Sequence, residues 1–217
     1  MERLSLREVL AAVAPLAVAV FAFGATFGVV ALRSGTPSEM ALATSALVFA
    51  GSAQFAVLAA LGGGAGLAGA ALTGILLNIR YLATGAAAGP RLPGNPVVRF
   101  VLSQLVIDES YAIGVRGSSD GLPEPRATLV TGLVLWLSWV AGTALGVLTG
   151  PLLGPPEQLG LDAAFPALFI ALLVPLLRRP HAPRVAAAAA AVTVATAPLL
   201  PAGLPLALAA LVGMLLR

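Results

Sequence analysis

The sequence contains no cysteine, no lysine and a single histidine, His181. Disulfides and thiolate metal sites are thereby excluded, and histidine-based catalysis or metal binding has almost nothing to work with. Charge is scarce as well: 10% of residues are charged, against about 25% in an average soluble protein. No Walker A motif is present, so the chain does not bind ATP by that route. No Gly-x-Ser-x-Gly surrounds Ser52, and an intramembrane aspartyl dyad lacks its second buried aspartate, because Asp120 and Asp162 fall in loops. An intramembrane enzyme is therefore disfavoured, and neither metal nor cofactor is expected. The net charge of +3 comes from twelve arginines against nine acidic residues. No basic run is interleaved with aromatics, which argues against nucleic acid as a partner.

What is abundant is apolar surface. Apolar residues make up 59% of the 217-residue chain, and the charges cluster in short gaps between long uncharged stretches. A soluble fold cannot bury that much, so the sequence reads as an all-α polytopic membrane protein forming a single integral membrane domain over residues 1–217. A spanning helix needs about 17–25 mostly apolar residues. Seven to eight segments qualify or nearly so: Val9–Leu32, Met40–Leu61, Gly66–Ala83, Val97–Val115, Ala127–Thr149, the short Ala163–Leu177, and the run Val185–Leu216. The first follows Arg3 and Arg7 in the manner of a signal peptide, but its apolar run is too long, and it is expected to stay as an uncleaved span. The last run would be roughly 48 Å as one helix, too long for one span, so it is expected to fold as a hairpin with two short arms.

Arginine placement bears on orientation. With eight full crossings and the N-terminus inside, eight arginines lie inside, and Arg33, Arg80, Arg91 and Arg99 lie outside. Segments 40–61 and 97–115 are alternatively broken or re-entrant; if both dip in and return to the side they came from, Arg80, Arg91 and Arg99 become internal and the bias is eleven against one. These two segments also carry the unusual sequences.

Segment 40–61 holds Phe49-Ala-Gly51-Ser52-Ala-Gln54-Phe55 near its centre. A mid-membrane glutamine is costly without partners. Glycine beside small polar residues permits local unwinding, after which freed backbone groups and a half-helix N-terminus can face a solute. A close helix contact, with Ser52 and Gln54 bonding across helices, accounts for the same residues. The third segment ends Asn78-Ile-Arg80-Tyr81. Arg80 can bind a carboxylate bidentately or snorkel to the interface. In segment 97–115, Gln104, Asp108 and Tyr111 fall at i, i+4 and i+7, one face of a continuous helix, and Glu109 adjoins Asp108. Intramembrane carboxylates of this kind serve as proton relays or ion sites; a helix end in the headgroup region is the plainer explanation. Gly24 and Gly28 in the first segment, and Ser138, Gly142, Gly146 and Gly150 in the fifth, form small-xxx-small packing faces. They are expected to pack either on each other or on another subunit. Trp136 and Trp139 lie mid-span rather than in an interfacial belt, lining a cavity or packing in the bundle.

These strings together, from Ala14-Pro15 through Gly24 and Gly28 to Phe49–Phe55, Asn78-Ile-Arg80 and Asp108-Glu109, resemble the AzlC family. The likeness runs from about Pro15 to Pro175, including Leu161-Asp162 to Pro175 before the last hairpin (185–216). Two positions depart from the family pattern: Tyr81 stands where Asn-x-Arg-His is common, and Ile107 where Thr-Asp-Glu is common. The resemblance implies the large subunit of a branched-chain amino acid exporter in the bacterial inner (cytoplasmic) membrane. It implies leucine, isoleucine, valine and methionine as cargo, a proton-driven cycle, and a small AzlD-like membrane subunit as partner. On that basis Gly51, Ser52, Gln54, Asn78 and Arg80 are candidates for substrate binding. Asp108 and Glu109 are candidates for proton or ammonium coupling. A non-transporting membrane scaffold is the alternative, suggested by the small-residue faces.

Overall fold

The computed structural model describes residues 4–79, 81–116, 118, 121–152, 170, 174, 177–178, 180–200 and 204–215. Among them every regular element is helical. Two compact units divide the chain: residues 1–51 with 78–150, and residues 52–77 with 151–217.

The first unit is organised by two long helices. Helix α1 (Leu6–Arg33) begins at a capping box in which the Ser5 hydroxyl accepts from the Glu8 N–H and the Glu8 carboxylate accepts from the Ser5 N–H. It ends at Gly35, whose φ of 78° lets the Thr36 N–H reach back to the Ala31 carbonyl. Helix α8 (Pro125–Thr149) starts with proline at its first position and the Glu124 carboxylate accepting from the Ala127 N–H. At 28 and 25 residues they run about 42 and 38 Å, enough to cross a bilayer.

These two helices pack backbone to backbone. A Cβ built on Gly142 would collide with the Phe21 carbonyl, one on Gly146 with the Ala25 carbonyl, and one on Gly28 with the Thr143 carbonyl. Gly24 faces the Trp139 carbonyl at 2.5 Å from where its Cβ would sit. The small-residue faces of the two segments are thus spent on each other. Beyond them Arg33 donates to the Gly150 carbonyl at 3.1 Å, closing the end of α8.

The other helices that lie or begin in this unit are short. Helix α2 (Ser38–Leu47) stops three residues before α3 (Gly51–Gly62). Helix α6 (Pro96–Ser103), capped by Asn95, stops four residues before α7 (Asp108–Arg116). Segments 40–61 and 97–115 are therefore each two half-helices. Helix α5 (Tyr81–Ala88) and a following 3-10 turn (Gly89–Arg91) place Ala88 and Leu92 against Val106, with Leu102, Tyr111 and Leu129 packed around them.

In the second unit, the end of α3 turns through Gly64, at φ 82°, with Ala65 N–H returning to the Ala60 carbonyl. Helix α4 (Gly66–Asn78) follows, and Gly74 leaves room for Val57 of α3. The C-terminal run forms the expected hairpin of α9 (Ala182–Thr196) and α10 (Leu204–Leu215), packed on each other. At 15 and 12 residues both arms are short.

The expected count of seven to eight spanning segments is not reproduced as seven to eight spanning helices. Among the described residues, two helices are long and apolar enough to cross alone, Leu6–Arg33 and Pro125–Leu152, with a third if α4 and α5 count as one bent span. Segments 40–61 and 97–115 are interrupted, and both arms of the C-terminal hairpin are too short to qualify. Most of Ala163–Leu177 lies outside the described residues.

Candidate functional site

Both interruptions rest on one face of α8. Gly132, Trp136 and Trp139 fall at i, i+4 and i+7, so they share that face over about 10 Å of helix axis.

At the first break, Val48 still donates to the Thr44 carbonyl, but Phe49 turns into the left-handed region at φ 42°. This is an uncommon conformation for a bulky residue, and it is held by burial, since Phe49 is 6% exposed. In a continuous helix the Ala46 carbonyl would accept from the Ala50 N–H. Here it accepts from the Trp136 indole N–H at 2.9 Å. One turn earlier, the buried Ser45 and Thr143 hydroxyls meet at 2.9 Å. Trp139, 4% exposed, stacks on Phe27 with ring centroids 5.7 Å apart, and its ring edge fills the space a Gly51 Cβ would need. The two mid-span tryptophans therefore support the break, one by a hydrogen bond and one by shape.

Trp136→Phe tests this support. An aromatic ring is kept, though a smaller one, and the part-buried Ala46 carbonyl loses its donor, at a cost of about 1–3 kcal/mol. Thermal unfolding in detergent should show that loss; a midpoint equal to the wild type would mean that the indole N–H is dispensable.

At the second break, the Leu105 carbonyl sits where Gly132 leaves room for it. Gln104, Leu105 and Val106 each donate three residues back, tightening the end of α6 into a 3-10 turn. Ser110 then restarts the chain. Its hydroxyl, fully buried, accepts from the Ile107 N–H at 2.9 Å and donates to the Leu105 carbonyl at 2.8 Å or the Ile107 carbonyl at 3.0 Å. Ile107 precedes the first helical residue and offers no side-chain acceptor to the opening amides of α7, whereas the threonine of the resembling pattern would. Close by on α8, the Thr131 hydroxyl is buried with no hydrogen-bond partner among the described residues.

The candidate residues fall as follows. Gly51 opens α3 against Trp139. Ser52 is half-buried and Gln54 buried, both in the second unit. Asn78 ends α4, and its Oδ1 is buried without a hydrogen-bond partner among the described residues. Arg80 lies outside the described residues. Asp108 and Glu109 are exposed in the first turn of α7, where the helix dipole favours negative charge. The expectation that Gln104, Asp108 and Tyr111 share a helical face is corrected: Gln104 caps α6 and Asp108 begins α7, so no continuous helix joins them. The sequence reading missed Ser110, Phe49 and the Trp136–Ala46 bond. Only the tryptophans carried a signal, their mid-span position.

Two apolar spans bound through glycine faces, with two discontinuous helices seated on one of them, define a polytopic membrane protein built on broken helices. The chain belongs to the AzlC family, whose model, described as AzlC protein, matches residues 15–153. It is 31% identical over 171 residues to an uncharacterized membrane protein of Archaeoglobus fulgidus, covering 77% of this chain and 74% of that one. It is 27% identical over 176 residues to inner membrane protein YgaZ of Escherichia coli, covering 76% and 70%. A membrane protein of Helicobacter pylori is 25% identical over 157 residues, covering 72% and 68%. No solved structure matches.

Proposed function

We propose that the chain is the large subunit of a secondary exporter of branched-chain amino acids: leucine, isoleucine, valine and also methionine. It would act in the bacterial inner membrane with a small AzlD-like membrane subunit and be driven by protons. The observation that carries this reading is the pair of helix breaks on one face of α8. Discontinuous helices expose backbone N–H and C=O groups at membrane depth, where an ordinary helix has none to offer. An amino acid carboxylate fits a half-helix N-terminus, whose amides and dipole favour an anion.

In this reading the carboxylate meets the amides beyond Gly51 or the guanidinium of Arg80, with Ser52, Gln54 and Asn78 bonding its polar end. Asp108, with Glu109, takes the ammonium or carries the coupling proton. The aliphatic side chain lies among Phe49, Phe55 and small residues. The scaffold alternative loses its support, because the glycine faces of α1 and α8 are occupied by each other.

Proton-driven leucine efflux from proteoliposomes tests the coupling role. Asp108→Asn should reduce it to background while the protein still assembles with its small subunit. Unchanged efflux would remove Asp108 from the cycle.

A further inference from the structure

The second unit carries a cationic cavity that the transport reading does not use. It has a volume of about 450 Å3 and is lined by Arg178, Pro180, His181, Pro183 and Arg184. Among the described residues the lining includes two guanidinium groups and an imidazole, and no carboxylate. Neither Arg178 nor Arg184 has a hydrogen-bond or ion-pair partner among the described residues. His181 holds a left-handed backbone, φ 68°, that turns the chain from Pro180 into α9 and sets the arginines around one hollow. Every lining residue is exposed, so the cavity is open to a large ligand.

We propose that this cavity binds a phosphate-bearing anion, namely the headgroup phosphate of an anionic lipid. Guanidinium groups present forked donors that match phosphate oxygens. The loop joins the apolar stretch ending at Leu177 to the apolar run beginning at Val185, so the cavity lies at a membrane boundary. Both crossing schemes expected from the sequence, with the N-terminus inside, put Arg178 and Arg184 on the cytoplasmic side, whose leaflet is the anionic one and where basic pockets hold lipid headgroups.

The full chain, purified in neutral detergent, is titrated with dioleoylphosphatidylglycerol, dioleoylphosphatidylcholine or inorganic phosphate, and bound lipid is read by native mass spectrometry alongside the unfolding midpoint. Phosphatidylglycerol should bind more tightly than phosphatidylcholine and raise the midpoint. The R178Q/R184Q double variant should bind it about thirtyfold more weakly, R178K/R184K should keep most of the affinity, and R99Q should match the wild type. Failure of inorganic phosphate to compete identifies the lipid headgroup as the occupant. Competition by phosphate supports the same chemistry but makes a free anion the source. Equal binding of the two lipids by the wild type, or phosphatidylglycerol binding by R178Q/R184Q equal to the wild type, overturns the proposal. If the double variant fails to fold, the single R178Q and R184Q variants carry the comparison, and phosphatidylglycerol binding by both equal to the wild type overturns the proposal.

Discussion

Gly142→Leu should leave little folded protein. The substitution puts a branched side chain where the Phe21 carbonyl of α1 already lies, and the clash is with backbone, which cannot rotate away. Relieving it requires α1 and α8 to separate. That would also open the neighbouring contacts at Gly146, Gly28 and Gly24, which are equally close. Overpacking a well-filled site costs about 1–3 kcal/mol, occasionally more, and loss of the whole contact exceeds that. The total stability of a domain is only about 5–15 kcal/mol. The measurement is the monodisperse yield after detergent extraction. Leu148→Ala on the same helix is the control, since Leu148 is 72% exposed and should tolerate truncation. A normal yield of Gly142→Leu would mean that the two spans do not meet as described.

Ser110→Ala should have the larger effect on activity. Its hydroxyl is the pivot between α6 and α7, bonded to the Ile107 amide on one side and to the Leu105 or Ile107 carbonyl on the other. Alanine fills nearly the same volume and keeps the helix propensity, so packing alone predicts a mild change. The polar accounting predicts otherwise. The buried Ile107 N–H loses its acceptor, at about 1–3 kcal/mol, and the part-buried Leu105 carbonyl loses its donor, while the Ile107 carbonyl still accepts from the Tyr111 N–H. The break then loses the side-chain bonds that fix its geometry. Transport should then fall at least about tenfold, since a backbone shift near 1 Å can cost a hundredfold where positioning matters. Thermal unfolding and labelled-leucine uptake on the same preparation separate the two effects. Full activity in Ser110→Ala would show that the second break is incidental to transport.

How far the sequence leads is visible at these positions. The lengths of Val9–Leu32 and Ala127–Thr149 and their lack of internal charge identify the two spans, because bilayer thickness alone sets that requirement. The four-residue spacing of small residues also marks the α1–α8 contact, although not which partner each face meets. The breaks are foreshadowed by Gly51, Ser52 and Gln54, and by Asp108 with Glu109, because polar groups in an apolar run demand a reason. Their construction is not foreshadowed. A left-handed Phe49 has no local signature, since propensity assigns that conformation to glycine or asparagine. Ser110 bonding back across the break depends on where α6 ends, and Gln104 gives no stop signal. Helical spacing therefore put Gln104, Asp108 and Tyr111 on one face that the chain interrupts. The Trp136 bond to Ala46 joins residues 90 positions apart, which no local pattern records.

Counterflow is the most direct measurement of the central claim. Proteoliposomes holding the chain and its small subunit are loaded with unlabelled leucine and given a trace of labelled leucine outside. The account predicts transient accumulation of label, competed by isoleucine and valine, and greatly reduced in Ser110→Ala preparations that remain folded. No accumulation with the wild-type pair would contradict the assignment of the broken helices on α8 as an amino acid transport site.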